Sequence, residues 1–90
     1  MVWKIEFTKS ADKEFSKLTK DVKKAIYQYL IKNVSISPRN HGLQLKSVGI
    51  IKLWRYRVRD YRLICQIKDH EVTVLVIKIG KRDAVYKNLD

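Results

Sequence analysis

The run RYRVRDYRLICQI, residues 55–67, places Arg55, Arg57, Arg59 and Arg62 within eight positions. Crowded guanidinium groups repel one another. Each also presents a planar fork of donors that matches two oxygens of a phosphate. The spacing matters as much as the residue type. On a strand, successive side chains point to opposite faces. Trp54, Tyr56 and Val58 then share one face, and Arg55, Arg57 and Arg59 share the other. On the following run, Leu63, Cys65 and Ile67 oppose Arg62, Ile64 and Gln66. On the last, Leu75, Ile77 and Ile79 oppose Val74, Val76 and Lys78, and the same parity carried past Gly80 brings in Arg82. One face is apolar, while the other gathers Arg55, Arg57, Arg62, Lys78 and Arg82. A solvated sheet face also carries charge, but it mixes signs and uses lysine as readily as arginine. Here no acid shares the parity on these strands, so anion binding outweighs solvation. Arg59, next to the turn, is the weakest member.

The whole chain agrees with that sign. Twenty Lys and Arg against nine Asp and Glu give a formal charge of +11 over 90 residues. Such an excess repels itself in the compact state and suits a polyanionic or acidic partner, with nucleic acid the leading one. Metal chemistry finds no support: His41 sits in a loop and His70 in a turn, and neither has a ligand at useful spacing. No cofactor is implied. Cys65, the single cysteine, builds no disulfide within the chain and has core parity.

Several elements must hold that face. VWKIEF, residues 2–7, alternates as a strand with Trp3, Ile5 and Phe7 inward. Thr8 is a helix N-cap, followed by Ala11, Phe15 and Leu18 on one helical face. A break at 19–21 opens a second helix with Val22, Ala25, Ile26, Tyr29 and Leu30 as its stripe. The lysines on the far side of both helices read as a solvated face. SISPRNHG, residues 35–42, is a loop, and apolar runs follow at 50–59, 61–68 and 71–80. The expected fold is α+β: one domain, residues 1–90, with an N-terminal strand, an antiparallel helix hairpin and a three-strand antiparallel meander. The helices pack on one sheet face. No stretch approaches the ~20 apolar residues needed to cross a bilayer. MVWKIEFTK lacks the apolar region of a signal peptide. A cytoplasmic location, with no membrane partner, is expected.

LWRYRVRDYRLICQI, followed by VTVLVIKIGKRDAVYK, resembles the RelE family of toxins of bacterial and archaeal toxin–antitoxin systems, which shares its fold with the ParE toxins. The resemblance covers nearly the whole chain, including KIEFTKSADKEFSKL and SPRNHGLQLKS. It implies an endoribonuclease that cuts messenger RNA in the ribosomal A site. The substrate's own 2′-OH would attack without a metal, leaving a 2′,3′-cyclic phosphate and a 5′-hydroxyl. It also implies a cognate RelB-like antitoxin, with operator DNA contacted only through the antitoxin complex. The family's two basic strand positions fall on Arg55 and Arg57, its Y-R-L arginine on Arg62, the arginine after the last strand on Arg82, and the C-terminal tyrosine on Tyr86.

In that reading Arg62 and Arg82 stabilise charge building on the five-coordinate phosphorus, with Arg57 beside them. Tyr86 stacks a base and orients the 2′-OH. Arg55, Lys46, Lys52, Lys78 and Lys81 are the RNA-binding set. Lysines stand at the positions of Arg55 and Arg57 in the best-known pattern, and an arginine does not give up its proton. Lys52, Lys81 and Tyr86 remain alternatives for a general base. Two other readings stay open: a ParE-like toxin that inhibits gyrase by binding, and a catalytically weak toxin that acts mainly as antitoxin-bound co-repressor.

Overall fold

Alternating Lys4-Ile5-Glu6-Phe7 forms β1 (Lys4–Phe7), the exposed residues alternating with half-buried ones as the sequence requires. In this computed structural model, which describes residues 2–45 and 52–81, β1 leads directly into α1 (Lys9–Ser16). The Thr8 hydroxyl accepts the Ala11 N–H at 3.1 Å and starts that helix. Thr19 caps α2 (Lys20–Tyr29) in the same way, accepting from Val22 at 3.4 Å. Both threonines satisfy donors that a helix start otherwise orphans. A π-helical turn, Leu30–Val34, extends α2. There the Ser35 N–H reaches the Leu30 carbonyl at 2.8 Å.

Four further strands follow: β2 (Leu43–Gln44), β3 (Leu53–Val58), β4 (Tyr61–Lys68) and β5 (Thr73–Lys81). The sheet order is β1-β5-β4-β3-β2. β3, β4 and β5 form the antiparallel meander read from the sequence. β1 runs parallel to β5 and closes one edge. The two-residue β2 closes the other. Arg59 and Asp60 make the tight β3–β4 turn between the paired Val58 and Tyr61. Arg59 takes a positive φ of 55° there, as the first central residue of a primed hairpin turn does.

The helices cover one face, as expected. Ala11, Ile26, Leu30 and Val34 bury against Tyr56, Val58, Leu63, Cys65, Val74, Val76 and Ile79. One expectation is overturned. Leu75 and Ile77 do not face the helices; Val74 and Val76 do. The cause is a bulge. Ile64 pairs with Lys78 and Cys65 with Val76, leaving Ile77 unpaired. The extra residue shifts the alternation by one, so Ile79 returns to the helix side while Ile77 packs with Leu53 and Ile64 behind the sheet. Uniform alternation cannot register this, because β5 is apolar on both faces.

Candidate nucleic-acid interface

Register fixes what shares a face. Arg57 lies directly opposite Arg62, Arg55 opposite Ile64, and Arg62 in turn opposite Gly80. The three arginines therefore stand together on the face away from the helices, at the hairpin end of β3 and β4. Arg57 is exposed, Arg55 half-buried, and Arg62 only 8% exposed. Arg62 Nε is buried without a hydrogen-bond partner. Among the described residues, neither Arg57 nor Arg62 has an ion pair. Like charges directly opposite on a sheet destabilise it, and no carboxylate among the described residues forms an ion pair with either one. The acid on the same face, Glu6, pairs in the row of Leu75 and Gln66. By strand geometry that is roughly 16 Å from Arg62, beyond a Debye length at physiological salt. The arrangement is a buried arginine beside an exposed one, suited to phosphate oxygens.

The remaining sequence-predicted residues divide. Lys78 shares this face but sits at its rim, its Nζ 4.0 Å from Glu14 Oε2. Lys81 pairs with Tyr61, which packs on the helix-side core, and its Nζ is 5.9 Å from the Tyr61 ring centroid. Lys81 is thus on the helix side, not with the arginines. Lys52 precedes β3, five residues from Arg57 and roughly 16 Å along the strand. There it lines a polar cavity of ≈ 270 Å³ with Arg39, Gln44 and Trp54. Arg59 leaves the group as well and bonds Asp21 at the start of α2. That guanidinium holds the Asp21 carboxyl below its ordinary value. Lys46, Arg82 and Tyr86 lie outside the described residues.

Two supporting groups escaped the sequence reading. Glu14 Oε1 accepts the Ile79 N–H at 3.1 Å. β1 ends opposite Val76, so β5 beyond it would present an open edge. The Thr8 N–H to the Val76 carbonyl (3.0 Å), the Thr8 hydroxyl to the Ile77 carbonyl (3.2 Å) and Glu14 close that edge instead. A carboxylate three residues after Ala11, at the margin of the buried stripe of α1, was the available signal. Arg39 is the other. It forks onto Asp69 with two 2.8 Å bonds, and the pair lowers the Asp69 carboxyl and raises the Arg39 guanidinium. The strand carrying Arg55 is anchored to the preceding loop on its helix side. The Tyr56 hydroxyl donates to the Pro38 carbonyl, and Trp54 Nε1–H to that of His41, each at 2.7 Å. Cys65 is fully buried, and burial pushes its thiol well up from its ordinary value, so it is no nucleophile. Among the described residues no cluster of His, Cys, Asp or Glu is placed to hold a metal. No helix among them is long and apolar enough to cross a membrane.

The family described as ParE toxin of type II toxin-antitoxin system, parDE, matches residues 5–86. The mRNA interferase toxin RelE of Escherichia coli is 32% identical over 83 residues, covering 92% of this chain and 86% of the relative. The fold superposes on the toxin–antitoxin complex RelBE2 of Mycobacterium tuberculosis with a TM-score of 0.81 at 23% identity, covering 91% of this chain and 93% of that one. It also matches the intact E. coli RelBE toxin–antitoxin complex with a TM-score of 0.72 at 29% identity, covering 90% and 98% respectively. With its meander, helix hairpin and paired arginines in place, the chain belongs to the RelE/ParE family of toxins of type II toxin–antitoxin systems.

Proposed function

We propose that this toxin is a ribosome-dependent mRNA endoribonuclease of the RelE kind, working in the cytoplasm and neutralised by a RelB-like antitoxin. Operator DNA would be contacted only through the antitoxin complex. The observation that carries this reading is the pair of Arg57 and Arg62, directly opposite on the sheet, with no ion pair to either among the described residues. A pentavalent phosphorane gathers negative charge on its equatorial oxygens, and fixed cationic donors lower that barrier. Arg62, immobilised by burial, stabilises that charge. Arg57 and Arg55 grip the flanking phosphates. Arg82 and Tyr86 are assigned from the motif, Arg82 to the departing 5′-oxygen and Tyr86 to the 2′-OH and its base. Lys52 and Lys81 stand away from Arg57 and Arg62, which favours Tyr86 among the three alternatives for the proton. The E. coli relative named as an mRNA interferase supports the reaction class.

The ParE description of the matching family favours a second reading, gyrase inhibition by binding. One experiment separates the two. A reporter is translated in vitro with the purified protein, and mRNA 5′ ends are mapped by primer extension while gyrase supercoiling is followed in parallel. Expected are in-frame A-site cuts with 5′-hydroxyl ends, lost in Arg62→Ala, and unaffected supercoiling. Intact mRNA with inhibited supercoiling would replace the reading with the second. Intact mRNA with normal supercoiling leaves a co-repressor.

A further inference from the structure

The row of residues through Arg62 is unequal. On one side stands Arg57, on the other Gly80. Glycine commonly ends a strand or turns the chain. Gly80 does neither. β5 runs on to Lys81, which pairs with Tyr61, so the residues on both sides of Gly80 are held in the ladder. Among the described residues the glycine with a positive φ is Gly42, not Gly80. The backbone at Gly80 therefore accepts an ordinary side chain. A glycine inside a strand weakens it, through chain entropy and lost cross-strand contact, and often marks a close approach by a ligand. Two devices aim and fix this position. The bulge at Ile77 moves the even-numbered residues from the helix side, where Val74 and Val76 lie, to the arginine face, where Lys78 and Gly80 lie. Beyond the end of β1, the Glu14 carboxylate holds the adjoining Ile79 N–H at 3.1 Å. Gly80 is only partly buried, so it leaves an open notch of fixed position beside Arg62.

We propose that Gly80 is a contact for the RNA backbone. The ribose next to the scissile phosphate lies in the notch against bare main chain, and this brings the phosphate down onto Arg62. The contact rests on the endoribonuclease reading and deepens it. The surroundings suit this occupant. Arg57, Arg62 and Lys78 give the notch a cationic border, while position 80 itself offers no side chain to obstruct a sugar. A Cβ added there would stand roughly 4.5–5.5 Å from that of Arg62. A β-branched side chain would fill the space over the Arg62 stem and lift a ribose away from it. A small tetrahedral anion needs only the guanidinium donors and would still enter. The notch thus separates a nucleotide from a free anion, although both use the same arginines.

The test compares Gly80→Ala and Gly80→Val with the wild type in two assays: thermal melts with and without sulfate, and mRNA cleavage on translating ribosomes. Expected for Gly80→Val is a Tm raised by roughly 2–6 °C, because a β-branched residue replaces glycine in a paired strand. The rise in Tm caused by sulfate stays as in the wild type. Cleavage falls about 10-fold in Gly80→Ala and about 100-fold in Gly80→Val, the loss lying in kcat while Arg55 and Arg57 keep KM near its wild-type value. Wild-type cleavage by Gly80→Val would overturn the contact and leave the endoribonuclease reading standing. A lowered Tm, or a sulfate response lost in Gly80→Val alone, would also overturn it and assign the space to the packing of Arg62 itself. A wild type that leaves mRNA intact would overturn both.

Discussion

Replacing Arg62 with methionine should make this protein more stable and inactive at once. Arg62 is 8% exposed, its Nε is buried without a partner, and Arg57 stands directly opposite. Relief of the like-charge pair is worth about 0.5–1 kcal/mol. Removing an unsatisfied buried polar group returns roughly 1 kcal/mol or more. Methionine keeps most of the apolar stem, so little packing is lost. The sum is about 1–2 kcal/mol of stabilisation, a rise in Tm of roughly 5–10 °C for a chain of this size. Thermal melts in a buffer free of phosphate and sulfate measure it. Sulfate should reverse the order. An anion bound 100-fold above its Kd adds about 2.7 kcal/mol to the wild type. It adds only its general salting effect, shared by both proteins, to Arg62→Met. mRNA cleavage should fall by about 100-fold or more. A variant less stable than wild type by over 1 kcal/mol without anions, or an equal sulfate response in both proteins, refutes the idea of a cationic pair awaiting phosphate.

Three other outcomes follow from the structure. Gly42→Ala should cost about 2–4 kcal/mol in urea unfolding and lower cleavage, because φ is +70° and the new Cβ would fall 2.2 Å from the Arg55 carbonyl. Glu14→Ala should cost about 1–2 kcal/mol by orphaning the Ile79 N–H, while Glu14→Gln, which keeps an acceptor, restores most of that loss. Its freed Lys78 should steepen the salt dependence of RNA binding. The carboxyls of Asp21 and Asp69 are both lowered by their arginines. Their stabilisation is therefore present above the ordinary carboxylate value and fades as pH falls through the depressed folded-state values. Acid melts of Asp69→Asn should show a shallower loss below pH 4 than wild type.

Much of this was legible in the chain. Period-two alternation placed Arg55, Arg57 and Arg62 on one face, because β3 and β4 have a polar side that betrays their register. β5 lacks one: Val, Leu and Ile occur on both sides, so the Ile77 bulge leaves no mark in the pattern and Leu75 was assigned to the wrong face. Lys81 is a different case: its assignment comes from the resemblance, while the odd-numbered parity of Ile79 already points it to the helix side, where it pairs with Tyr61. Thr8 and Thr19 were readable as caps because their chemistry is local. Glu14 and Arg39 were not, because their partners lie 65 and 30 residues away, and no short-range pattern encodes a contact between separate elements.

The chain has two tryptophans, and they stand at different surfaces. Trp3 lines an apolar groove beside β1, on the helix side of the sheet. Trp54 is bonded to the His41 carbonyl next to Arg55. Replacing either with phenylalanine leaves a single emitter, so the molecule carries its own pair of optical reporters. Emission from Trp3 alone should follow events at the groove. Emission from Trp54 alone should follow events along the arginine strand. Changes at the two surfaces can then be timed separately without attaching a dye.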